Sequence, residues 1–212
     1  IFVRIGGAGP PLLLLHGYPQ THVCWHRIAP GLATRFTVVA ADLRGYGESS
    51  VPEPDAGHRA YSKRQMGEDA LALMAALGYP RFRIAGHDRG ARVAYRLALD
   101  HAVAIERLAV LDIVPTAFVW RGMDWRAAIK SYHWPFLAQP HPLPETLIAA
   151  APEAYVDWTL ASWTAGRSLA CFDPTALAAY RGLLSEPGRL RAVCEDYRAG
   201  ATIDREIDEA DL

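Results

Sequence analysis

The chain has 212 residues, 51% hydrophobic and 21% charged, enough apolar material for one sizeable core and too little charge for a disordered polypeptide. Lys and Arg total 22 against 23 Asp and Glu, and a net charge of -1 argues against nucleic acid or an anionic membrane as a partner. Cys24, Cys171 and Cys194 lie far apart in no metal-ligand spacing, and no signal-peptide pattern or bilayer-length apolar run occurs, so reduced thiols and a cytoplasmic location are expected.

Short β-branched or apolar runs alternate with stretches of helical period, the pattern of a mainly parallel sheet covered by helices. The expected strands are "IFVRI", "PLLLLHG", "FTVVAADLRG", "RFRIAGHD" and "RLAVLDIVP". Between them, "HVCWHRIAPGLA", "SKRQMGEDALALMAALG" and "ARVAYRLALDH" read as helices, with "LGYP" as a turn. After Pro115 the alternation stops, and "MDWRAAIKSY", "LPETLIAAAPEAYVDWTLASW" and "TALAAYRGLLS" are helix-like, broken by "AQPHPLP", "CFDP" and "EPG". The division expected is residues 1–115 as an α/β core and 116–212 as a helical cap over the carboxyl ends of the strands, where open parallel sheets bind ligands.

Residues 86–92, "GHDRGAR", carry the chemistry. Gly-x-Asp-x-Gly after an apolar strand and before a helix fits a sharp strand-to-helix turn that presents a nucleophile, here Asp88; the alternative is an aspartate capping that helix. A carboxylate can displace a leaving group from carbon, forming an ester that water then hydrolyses. No serine stands in the frame, which disfavours esterase, lipase and peptidase chemistry. Arg89 and Arg92 are three residues apart, so on the following helix both can lie beside Asp88 and clamp a substrate carboxylate with charge-assisted bonds of about 1.5–3 kcal/mol each.

The chain resembles α/β-hydrolases of the aspartate-nucleophile branch, most closely the fluoroacetate (haloacetate) dehalogenases. The resemblance rests on "HGYPQ" (16–20), "DLRGYGES" (42–49), "GHDRGARVAYRLALDH" (86–101), "LDIVPT" (111–116) and "HWPFLAQP" (133–140), in family order. It implies hydrolysis of a haloacetate to glycolate and halide, with Asp88 as nucleophile, Asp112 as the acid that orients a histidine base, and Arg89 and Arg92 on the substrate. It also implies an oxyanion hole from the main chains of Tyr18 and Arg89, and His133, Trp134 and Tyr197 as halide donors. From the residues alone, Trp134 reads as a core aromatic and His133 as a satisfied polar residue. The pattern implies no metal or other cofactor, and a homodimer is common among such proteins. The histidine should follow the cap, and none of the eight histidines does. The expectation is therefore a chain lacking the last strands and the base, with an exposed sheet edge, or else an inactive or carboxylate-binding relative. The competing activities are epoxide hydrolysis, for which Tyr132, Tyr155, Tyr180 and Tyr197 are available, and haloalkane dehalogenation.

Overall fold

The expected apolar runs form one five-stranded sheet in a computed structural model describing residues 1–212. The strands are β1 (Val3–Gly6), β2 (Pro11–Leu15), β3 (Thr37–Ala41), β4 (Phe82–His87) and β5 (Ile105–Leu111), in spatial order β1-β3-β2-β4-β5. β2 pairs in parallel with β3 and β4, and β4 with β5, while β1 runs antiparallel to β3. Alternation sorts the side chains: Leu13, Leu15, Val39, Ala41 and Ile84 enter the main core, whereas Leu12, Leu14, Val38 and Ala40 pack with Trp25 on the opposite face. Each fully buried leucine contributes roughly 1.5–3 kcal/mol. β5 is an edge strand, and Leu108, Val110 and Leu111 are exposed along it.

Helices α2 (Lys63–Ala76) and α3 (Arg89–Asp100) pack on the main-core face. The Ser62 hydroxyl accepts from the Gln65 N–H to cap α2. At its other end Gly78 takes φ +85°, Tyr79 N–H reaches Met74 C=O and Gly78 N–H reaches Ala75 C=O, a closure that needs a residue free of Cβ strain. The "HVCWHRIAPGLA" stretch departs from the expected helix. It forms a 3₁₀ turn over His22–Trp25 and one short turn, α1 (Ala29–Leu32), because Asp42 takes the His22 N–H at 2.6 Å and Pro30 restarts the chain.

Beyond Pro115 the chain is helical: α4 (Thr116–Arg121), α5 (Trp125–Lys130), α6 (His133–Leu137), α7 (Leu143–Ala149), α8 (Pro152–Ser162), α9 (Pro174–Ser185), α10 (Pro187–Ala201) and α11 (Ile203–Ala210). Two prolines correct the expected boundaries. Pro152 splits the long apolar stretch into α7 and α8, and Pro187, within the expected break "EPG", starts α10; both begin helices where a missing N–H costs nothing. No helix is long and apolar enough to cross a membrane. The main core runs without interruption from Leu13 and Val39 into Trp134, Leu160 and Val193. Polar ties reinforce it: Asp204 accepts from the Lys63 N–H at 2.7 Å, and the Tyr95 hydroxyl donates to Asp208 at 2.6 Å.

Candidate active site

The β4–α3 turn is enforced by its glycines. A Cβ on Gly86 would lie 2.4 Å from the Gly90 carbonyl oxygen, and one on Gly90 would lie 2.4 Å from the carbonyl oxygens of both Leu15 and His16. Strand and helix therefore approach closely, and Asp88 between them is forced to φ 47°, ψ -114°, a strained conformation for a residue with a Cβ. Its carboxylate does not cap α3, which removes the capping alternative. Instead Oδ2 accepts from the Tyr18 N–H at 2.9 Å, and Oδ1 has no hydrogen-bond partner. Gly17 makes this possible, since a Cβ there would sit 2.6 Å from the Asp88 Cβ. Burial alone would raise the Asp88 pKa. The charges of Arg89 and Arg92 and the Tyr18 N–H outweigh it and hold the carboxyl below its ordinary value, so Asp88 is an anion. The N-terminus of α3 favours the same state.

Tyr18, Asp88, Arg92, Asp112, His133 and Trp134 line one cavity of about 650 Å³ at the carboxyl ends of the strands. The Arg92 guanidinium donates through Nη1 to the Val114 carbonyl at 2.9 Å and lies 4.6 Å over the Trp134 ring, leaving Nε buried without a partner. Arg89 is placed differently from the expected free clamp. It is fully buried behind the cavity wall, with Nε 2.9 Å and Nη2 2.5 Å from the two Asp196 carboxylate oxygens, and Nη2 also reaches the Asp196 carbonyl. Only its Nη1 is unpartnered. Lys63 Nζ and the Tyr46 hydroxyl complete the shell around Asp196. Arg89 and Lys63 hold the Asp196 carboxyl far below its usual range despite burial.

The aromatic residues form a cluster beside Asp88. The His133 ring stacks on Tyr18 with centroids 5.9 Å apart, and Tyr197 meets Tyr18, His133 and Trp134 edge-on at 5.2, 5.8 and 5.7 Å. Tyr197 lies behind the lining with Arg89 stacked 4.2 Å from its ring centre, and its hydroxyl is buried and unpartnered, as is His133 Nδ1. Burial drives the His133 pKa down to about 4 and the Tyr197 pKa well up, so a neutral imidazole and a neutral phenol are available as donors.

Asp112, just past β5, has φ 59° and sits exposed on the cavity rim. None of the eight histidines hydrogen-bonds it. His16, His22, His26, His58, His87, His101 and His141 are engaged elsewhere, and His133 Nδ1 is free. His16 of "HGYP" and Asp42 of "DLRGYG" are scaffold, whereas Tyr18 of "HGYP" belongs to the cavity. Buried His16 links the Gly17 carbonyl to the Leu43 N–H, and Asp42 gathers the N–H groups of His22 and Glu48. Polar and aromatic lining residues that the sequence did not single out include His87, Lys130, Ser131, Ser162 and Trp163. Only "GHD" placed one of them beside the turn.

A family model described as the alpha/beta hydrolase fold matches residues 10–204. The chain is 48% identical over 208 residues to a fluoroacetate dehalogenase from Burkholderia sp, an alignment covering 98% of this chain and 68% of that protein. It is 34% identical over 202 residues to a soluble epoxide hydrolase from Corynebacterium sp. (strain C12), covering 94% and 68% respectively. The crystal structure of ALR0039 from Nostoc sp PCC 7120 superposes with a TM-score of 0.95 at 55% identity, covering 99% of this chain and 71% of that one. With a parallel sheet, a strained turn presenting Asp88 and a family match over nearly its whole length, the chain belongs to the α/β-hydrolase family.

Proposed function

We propose that the chain carries the nucleophilic half of a hydrolytic dehalogenase acting on a small 2-halocarboxylate such as a haloacetate. The observation that carries this reading is the convergence on one cavity of a half-buried anionic Asp88 and unpartnered donors, Arg92 Nε and His133 Nδ1. Arg92, with Nη1 of Arg89 behind it, holds the substrate carboxylate. Asp88 Oδ1, the oxygen without a hydrogen bond, attacks the α-carbon; a C–O bond forms as the carbon–halogen bond breaks and halide leaves with the electron pair. The His133 imidazole and the Trp134 indole solvate the halide, with the unpartnered Tyr197 phenol directly behind them. In the ester, Oδ2 remains on the Tyr18 N–H, with the Arg89 main chain beside it, where negative charge develops when water adds to Cγ. Asp112 is the acid assigned to orienting an imidazole base for that step.

The relative named a fluoroacetate dehalogenase supports this reading. The relative named an epoxide hydrolase supports a second one, in which the unpartnered hydroxyls of Tyr155 and Tyr197 would polarise an epoxide oxygen. Arg92→Ala separates them, because haloacetate reaction collapses while epoxide opening survives. The direct test is intact-mass spectrometry after incubation with chloroacetate. A carboxymethyl adduct, or chloride and glycolate if the ester turns over, is expected from the chain and neither from Asp88→Asn. A folded sample giving neither product overturns the proposal.

A further inference from the structure

A second cavity, of about 510 Å³, adjoins the first and shares Lys130 and Ser162 with it. It lies between α5 and α8 and is walled by Trp125, Ile129 and Trp158, which are 66%, 71% and 65% exposed. Its cations are Arg126, Lys130 and Arg167, all exposed. None of the three forms an ion pair, whereas Arg181 is paired with Asp157, Arg198 with Glu145 and Glu195, and Arg89 with Asp196. The acids nearest in sequence are occupied, Asp124 in capping α5 and Asp157 on Arg181. Arg126 and Lys130 are i and i+4 on a six-residue helix, a like-charge arrangement that is unfavourable without a counter-charge. A locally unfavourable placement that opens onto the cavity is the kind of conflict found at functional sites.

We propose that this groove is an anion-collecting antechamber, which concentrates a small carboxylate from solution and passes it along Lys130 to Arg92. The inference rests on the carboxylate-substrate reading above and extends it to an outer subsite. Charge complementarity supports this role: three cations without ion pairs line the outer groove, one of them also borders the inner cavity, and Arg92 lies beyond. The exposed indoles bound the groove with apolar walls, which focus the field of those cations on an entering anion.

Two measurements on Arg126→Gln/Arg167→Gln test it; both residues are exposed, neither lines the inner cavity or makes an ion pair, and the contact given up is the Arg126 guanidinium over the Trp125 ring, with circular dichroism checking that the fold is kept. Iodide quenching of tryptophan fluorescence, compared with neutral acrylamide, reads anion accumulation beside Trp125 and Trp158 without any chemistry. The expected result is a shallower iodide response in the variant at low ionic strength, converging with the wild type at high salt, and an unchanged acrylamide response. Equal iodide responses overturn the antechamber whatever the reaction. The second measurement is the second-order rate of adduct formation with chloroacetate, expected to fall about two- to fivefold at low salt, with the saturating rate and the rate with neutral chloroacetamide unchanged. Equal chloroacetate rates, with the wild type reacting, overturn the loading role. A wild type that shows the steep iodide response but never forms an adduct overturns the assignment of Asp88, and the loading role with it.

Discussion

At the level of single residues, the turn around Asp88 combines strain with electrostatic preparation. Gly90→Ala puts a Cβ against two carbonyl oxygens that cannot both retreat, and it is expected to lower stability by about 2–4 kcal/mol in urea denaturation. Asp196→Asn leaves Arg89 and Lys63 buried without their shared counter-charge, and a loss of about 3–5 kcal/mol, read by thermal unfolding, is expected. His133 gives a pH signature. Its folded pKa of about 4 lies below the ordinary 6.5 because burial disfavours the imidazolium. Between those values the unfolded chain binds more protons than the native one, so this contribution is complete above pH 6.5 and lost as pH falls towards 4. The full loss is on the order of 3 kcal/mol. Unfolding free energies at several pH values in this window should show that slope, and His133→Asn should flatten it; identical slopes would contradict a buried neutral imidazole.

At the level of elements, local rules decided helix ends well and helix interiors less well. Ser62 caps α2, and Ser62→Ala is expected to cost about 1 kcal/mol in chemical denaturation. Pro152 and Pro187 can be read from sequence either as breakers or as first residues, because the same missing N–H suits both; only the packing of α8 and α10 on the core distinguishes them. The segment after His22 has helical spacing yet makes almost no helix, since the Asp42 carboxylate captures its first N–H and nearby ring nitrogen. That acceptor is twenty residues away in sequence and invisible to periodicity.

For the molecule as a whole, the exposed edge at β5 is the main liability. Leu108, Val110 and Leu111 present apolar surface beside unpaired backbone groups, an arrangement that templates pairing between chains. Concentration-dependent association is expected in light scattering, and Val110→Lys should reduce it by placing a charge on the edge. An unchanged association would locate the sticky surface elsewhere.

The sequence by itself determined the mainly parallel sheet and the tight strand-to-helix turn with Asp88 at its centre, because alternation and glycine spacing are local properties of the chain. It also supplied Arg92, His133 and Trp134 as members of one site, through resemblance rather than through spacing. Only the tertiary structure decided that Arg89 spends most of its donors on Asp196, 107 residues away. It alone assigned Lys130 to both cavities and left the cations of the outer groove unpaired. The physical reason is that a guanidinium or an ammonium is committed by whichever carboxylate folding brings within about 3 Å, a distance that no local pattern encodes.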